Sequence, residues 1–234
     1  MPETQAVNEK LDMATAFAMA SHDIKNSLGV LLKDINNINE RCDVGSCVMR
    51  SHCADMEYEV RRINNNLVKM LTLFKLGAGD YLLNVDAHSV RDFLDEMMLE
   101  QAVLMGQKGI GYEIACEPDL YWYFDRNLMT GVMGNAISNA LRYTRDRLLI
   151  TAEASVEGLK IAVEDNGSGF PAFMLEQQAE FLRPESGFLN NNTGLGLYFT
   201  QQVLDLHQHD ALHGRVVLDN GGALSGGRFS ILLP

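Results

Sequence analysis

Four short stretches hold the residues whose types and spacing could do chemistry. In SHDIKNSL, His22 stands next to Asp23, with Asn26 three residues past the acid. Taken alone, His22 reads equally as a packed helix residue, a metal ligand or a nucleophile, because a neutral imidazole nitrogen serves in all three settings. In NAISNALRY, Asn135 and Asn139 are four apart and share one helix face. Amide oxygens are neutral, hard ligands suited to magnesium already bound to phosphates. Arg142 follows three residues later, within reach of an anion held there. The plainer reading is two asparagines bonding locally on a helix. In EDNGSGF, a strand runs into Asp165, and Gly167 and Gly169 follow. A carboxylate at a strand end can accept a hydrogen bond from an exocyclic amine such as that of adenine. Glycines let backbone approach a flat ring. The competing reading is an ordinary D-N-G turn. In NNTGLGLYF, small residues lead into a helix, whose free N–H groups suit phosphate oxygens. An N-cap at Thr193 followed by glycines would look the same.

These residues need elements to hold them. From Phe17 to Cys42, apolar or small residues recur at Phe17, Ser21, Ile24, Leu28, Leu31, Ile35, Ile38 and Cys42, in alternating steps of four and three. A second seam with the same alternation runs through Met49, Cys53, Met56, Val60, Ile63, Leu67, Met70 and Phe74. Such heptad seams predict two long helices, and the DVGS break between them predicts an antiparallel hairpin. One hairpin buries little, so two are expected to pair into the four-helix bundle of a homodimer. His22 falls one position beyond the seam, at the bundle edge. KLGAGDYLL marks a boundary, giving domains 1–78 and 79–234.

Beyond it, YLLNVD predicts a strand, and SVRDFLDEMMLEQAVLMG a single helix ended by Gly106. GYEIACE and DLYWYFD predict strands, and RNLMTGVMGNAISNALRYTR a helix capped by Asp125. A hairpin turning at Glu157-Gly158, a helix from GLGLYF and a final hairpin from GRVVLDN complete an α/β sandwich. Its sheet is mixed, with helices on one face.

Composition narrows the function. With 47% hydrophobic and 21% charged residues, 234 residues build packed domains, not a disordered chain. A net charge of -12 repels phosphate backbones, which argues against nucleic-acid partners. No apolar run approaches the ~20 residues that span a bilayer, and no signal peptide opens the chain, so a cytoplasmic protein is expected. Cys42, Cys47 and Cys53 fall near His52 with a C-x4-C-x5-C spacing that matches no common zinc pattern. They read either as buried thiols or as a redox or metal sensor. His88, His207, His209 and His213 read as surface or loop residues.

The order of the boxes, some thirty residues apart, is more specific than any one of them. The chain resembles the catalytic core of a bacterial two-component sensor histidine kinase. NAISNALRYT resembles that family's N box, EDNGSGFP its first glycine box, NTGLGL its second, and FAMASHDIKNSL its H box. The resemblance spans residues from about 10 to 234. It implies a dimerisation and histidine-phosphotransfer hairpin followed by a Bergerat-type ATP-binding domain, with ATP and Mg²⁺ as cofactors. It implies that His22 is phosphorylated, that Asp23 orients its imidazole and takes its proton, and that Asn26 positions a water when a partner is dephosphorylated. Asn139 would hold Mg²⁺ with Asn135 in support, Arg142 would touch phosphates, and Tyr143 the nucleotide. Asp165 would read adenine, while Gly167, Gly169, Thr193, Gly194, Leu195 and Gly196 would shape the pocket. The implied partner is the receiver domain of a response regulator.

Two departures stand out. Ser27 replaces the proline usual in relatives before the H-box leucine, which implies a straighter helix. The segment 171–193 between the glycine boxes is short, and EFLRPES is a remnant at most of a further box. The alternative reading is therefore a catalytically weak docking or phosphatase module. No sensor segment precedes the hairpin, so either the chain is a trimmed piece or its signal comes from a separate soluble protein.

Overall fold

A computed structural model of the chain describes residues 24–35, 38, 47–181, 194–208 and 212–234. The chain divides into two compact units, Met1–Tyr81 and Leu82–Pro234.

In the first unit, residues 24–35 form helix α1, which passes through Ser27 without interruption, and Cys47–Ala78 form α2. Leu28, Ile35 and Val60 close into one buried cluster with Leu32 against it. Among the described residues, the predicted seams are thus only partly covered. Leu28 is 7% exposed, whereas Ile24, Leu31 and Ile38, spaced by seven, and Met56 and Ile63, also spaced by seven, remain exposed.

The second unit holds a two-stranded ribbon and a five-stranded sheet. Strands β1 (Val85–Ser89) and β3 (Tyr121–Asp125) pair antiparallel. Strands β2 (Gly111–Cys116), β4 (Arg147–Ser155), β5 (Gly158–Asp165), β6 (Arg215–Asn220) and β7 (Gly227–Leu233) lie in the order β2-β4-β5-β7-β6. Only β2 and β4 pair parallel, so the sheet is mixed, as the sequence predicts. Alternate residues Leu148, Ile150 and Ala152 of β4, and Leu159, Ile161 and Val163 of β5, turn to the core. Arg147, Glu153 and Lys160 turn away from it. The inner face meets Phe93, Leu94 and Met98 of α3 (Val90–Leu99), Met129, Met133 and Ile137 of α5 (Arg126–Tyr143), and Val203 and Leu204 of α8 (Gly194–Leu206). Full burial of a side chain of this size stabilises by about 1.5–3 kcal/mol, so this layer is the main support of the fold. Helices α4 (Ala102–Lys108), α6 (Ala172–Glu176) and α7 (Gln178–Phe181) are short.

Four local predictions need correction. The first strand begins at Val85, and residues 81–84 are irregular. The long helix predicted after Ser89 is two helices. Ser89 caps α3 by accepting from the Asp92 N–H at 3.2 Å, and the chain breaks after Leu99. Gly106 lies inside α4, which ends instead at Gly109, whose φ of 65° is the left-handed conformation a helix C-cap favours. The β4–β5 turn is Val156-Glu157, one residue earlier than predicted, because Ser155 and Gly158 face each other across the ladder.

His207 is buried, not a surface residue. Its Nδ1–H donates to the Val203 carbonyl at 2.8 Å, and its Nε2 accepts from the Asp125 N–H at 2.9 Å. The Asp125 carboxylate in turn accepts from the Leu128 N–H, capping α5, and from the Asn84 N–H. Burial lowers the His207 pKa, opposed in part by the Val203 hydrogen bond and the Asp125 charge. The unfolded chain therefore takes up a proton here that the native fold resists. The stabilising contribution is complete above the unfolded value of 6.5 and is lost as pH falls from there toward the depressed folded value. We expect urea unfolding midpoints to drop between about pH 7.5 and about pH 5.5, and to drop less in His207→Gln. Equal drops in the two proteins would refute this role. His88, also read as a surface residue, is half-buried with its ring 4.9 Å from that of Phe124, while His213 is exposed.

Candidate functional site

Helix α5 carries the first part of the site. With Asp125 at its N-cap, Asn135, Asn139 and Tyr143 fall four apart along one face. Asn135 is buried where α8 crosses. A Cβ added to Gly196 would overlap its amide, and a Cβ on Gly131, one turn earlier in α5, would lie 2.9 Å from the Phe199 ring. These two close approaches run in opposite chain sense along the helices. Glycine at 196 is what lets the N-terminal turn of α8 rest on Asn135. Asn139 and Tyr143 open instead onto a cleft that they share with Asp165, Phe170, Val163 and Phe229. Arg142 is exposed beside it, its guanidinium 5.5 Å from the centre of the Tyr143 ring.

Strand β5 delivers the second part. Asp165 is only 6% exposed. Its Oδ1 accepts from the Gly167 N–H at 2.7 Å and, at 3.4 Å, from that of Gly227. Its Oδ2 makes no hydrogen bond to another described residue, and the side chain lines the cleft. The arrangement suits a donor arriving from the cleft: one oxygen is committed to backbone, and the other remains an acceptor. Gly167 has no room for a side chain, since a Cβ would overlap the Tyr143 carbonyl. Gly169 has φ 78°, and a Cβ there would meet the Asn220 amide at 2.7 Å. Gly226 is equally constrained, because a Cβ would overlap the Asp165 carbonyl.

Several positioning residues escaped the sequence reading. Asn166, within the D-N-G turn, seats its Oδ1 among the N–H groups of Arg145, Asp146 and Arg147, each at 3.1 Å, and also accepts from Thr144 Oγ1 at 2.9 Å. Its Nδ2 donates to Asp146 Oδ1 at 2.7 Å. The turn is thus fastened to the segment leaving α5, so the Asn139–Tyr143 face and the Asp165 strand end hold a fixed relation. Phe170, Asn220, Gly226 and Phe229 were missed because their roles depend on contacts across fifty or more residues. An asparagine in a turn was the one local signal available.

Of the other predicted residues, Gly194 opens α8, Leu195 is half-buried in its first turn, and Asn26 is an exposed residue of α1. His22, Asp23 and Thr193 lie outside the described residues, as do Cys42 and His209 and the side chains of Cys47, His52 and Cys53. Among the described residues no group of three or more His, Cys, Asp or Glu could hold a metal ion, and no helix is long and apolar enough to cross a membrane. The Asn139 side chain makes no hydrogen bond to another described residue, so its neutral amide oxygen fits a ligand of a phosphate-bound Mg²⁺.

Comparison with known proteins shows what the chain is similar to. Residues 124–234 match the model of the histidine kinase-, DNA gyrase B- and HSP90-like ATPase family. The virulence sensor histidine kinase PhoQ of Salmonella typhimurium is 26% identical over 180 residues, covering 74% of this chain and 36% of that protein. Sensor protein PhoQ of Escherichia coli K12 is 25% identical over 216 residues, covering 89% and 41%. The chain therefore spans roughly two fifths of the length of these relatives or less. Among solved structures, full-length ShkA in complex with AMPPNP superposes with a TM-score of 0.64 at 20% identity, covering 94% of this chain and 45% of that one. The Acinetobacter baumannii histidine kinase AdeS gives 0.58 at 18% identity, covering 89% and 95%.

Proposed function

We propose, from the premise that the C-terminal unit is a sensor histidine kinase catalytic domain, that this chain is an ATP- and Mg²⁺-dependent protein-histidine kinase. It phosphorylates His22 and passes the phosphoryl group to an aspartate on a response-regulator receiver domain. One observation carries the reading. Asn139 and Tyr143 of one box and Asp165 of another, more than twenty residues on, line one cleft in a unit that matches an ATPase family.

In this reading Asp165 Oδ2 accepts from the adenine amine, and the ring packs between Phe170 and the α5 face. Asn139 turns its amide oxygen toward Mg²⁺, and Arg142 and the N–H groups opening α8 meet the phosphates. Bound Mg²⁺ neutralises charge on the phosphates and so favours transfer. Asp23 holds the His22 imidazole in its neutral, attacking tautomer. The ring nitrogen bonds to the γ-phosphorus as the bond to the β–γ bridging oxygen breaks. ADP leaves, and the imidazole proton passes to Asp23. The exposed heptad positions Ile24, Leu31 and Ile38, with Met56 and Ile63, are proposed to be covered by a second hairpin in a homodimer.

Incubation with Mg²⁺ and ATP labelled on its γ-phosphoryl group should label the chain in an acid-labile, base-stable form. A protein with no measurable affinity for adenine nucleotides in the presence of Mg²⁺ would overturn the assignment.

A further inference from the structure

Resting on that nucleotide reading, we propose that Asn220 is a positioning residue: by clamping the backbone of Phe170 it sets the wall against which the base packs, and with it the preference for adenine. Asn220 ends β6, fifty residues beyond Phe170. Its Oδ1 accepts from the Phe170 N–H at 2.7 Å, and its Nδ2 donates to the Phe170 carbonyl at 2.9 Å. Both polar groups of one peptide-bearing residue are therefore held by one side-chain amide. Only an amide offers a donor and an acceptor in that geometry.

The clamp stands on a rigid base. The preceding rung of the β6–β7 ladder pairs Asp219 with Arg228, whose Nε donates to both carboxylate oxygens at 2.8 and 3.0 Å. Asn220 itself pairs with Gly227, and the Gly221 N–H donates to the Gly226 carbonyl across the hairpin end. Gly227 completes the seat. A Cβ there would lie 3.1 Å from the Phe170 ring and 2.9 Å from Asp165 Oδ2, so its missing side chain lets the ring rest on the strand beside the acid. Gly169, at φ 78°, brings the chain against the Asn220 amide closely enough for both bonds. Asp165 and Phe170 border the same cleft. A ring free to tilt would let the base tilt with it, and Asp165 would then distinguish poorly between the adenine amine and a guanine carbonyl.

The experiment compares Mg²⁺–ADP and Mg²⁺–GDP binding by calorimetry for wild type, Asn220→Ala, Asn220→Asp, Phe170→Ala and the double variant Asn220→Ala/Phe170→Ala. Asn220→Asp keeps the shape and the acceptor but sets an oxygen against the Phe170 carbonyl, so it tests the clamp where the fold is undisturbed. We expect either Asn220 variant to lose roughly tenfold in ADP affinity, with the ADP-to-GDP preference falling by a similar factor. In the Phe170→Ala background, Asn220→Ala should cost nothing further, because the residue acts through that ring. A merely structural role would lower both nucleotides equally and add to the Phe170 effect. That result, or unchanged ADP binding in both Asn220 variants, overturns the proposal. A wild-type protein that binds no ADP overturns the nucleotide reading and this inference together, and that failure is seen before any variant is measured.

Discussion

Asp165→Asn is expected to weaken Mg²⁺–ADP binding by about a hundredfold while leaving the thermal unfolding midpoint nearly unchanged. The argument follows from how the two carboxylate oxygens are used. Oδ1 is fixed by the Gly167 N–H at 2.7 Å, and an asparagine carbonyl can accept that bond in place of the acid. The fold around the turn should therefore persist. The substituted amide nitrogen then occupies the place of Oδ2 and presents two hydrogens to the cleft. Against the amine of adenine this sets donor to donor. A charge-assisted hydrogen bond is lost, and a buried donor is left without an acceptor. Each of these costs more in a site only 6% exposed than it would at the surface. Isothermal calorimetry decides the matter: an ADP affinity within about threefold of wild type would remove Asp165 from base recognition.

The larger effect is expected of His22→Ala. This substitution should abolish the acid-labile label from ATP while leaving Mg²⁺–ADP affinity unaltered, because the nucleotide groups belong to the second unit and His22 to the first. No other side chain would replace the lost nitrogen, since phosphoryl transfer depends on placing one nucleophile in line with the leaving oxygen. Label retained at wild-type levels in His22→Ala would assign the acceptor elsewhere. Loss of label together with loss of ADP binding would point to a damaged protein and would not support His22 as acceptor.

What could be read from sequence, and what could not, follows the range of the forces involved. Helix α5 was legible because its determinants are local: Asp125 accepts from Leu128 three residues on, and the apolar period is unbroken. The β4–β5 and β6–β7 hairpins were legible for the same reason. The mixed sheet followed from adjacent strands that must be hairpins and from a helical connection that permits a parallel pair. The break between α3 and α4 was not legible, because the apolar pattern of MMLEQAVLM continues through it. His207 looked like one of several histidines near a loop. Its burial depends on the backbone of Asp125, eighty-two residues earlier. The site divides in the same way. Asn139, Tyr143, Asp165 and Gly167 were recognisable as boxes, while Asn220 and Gly226 sit in a glycine-rich hairpin whose sequence signals only a turn. Their importance arises from what they touch.

The cleft has a volume of about 20 Å³, against the several hundred usual for a small-molecule pocket. Where a purine must wait for the exposed Tyr143 ring to turn out of the cleft, the measured dissociation constant is the intrinsic one divided by the fraction of molecules already parted. If about one molecule in a hundred is parted, affinity is a hundredfold weaker than the contacts alone would give. Any influence that favours the parted form then raises occupancy without touching the ligand. The binding step itself becomes a point at which a distant signal can act.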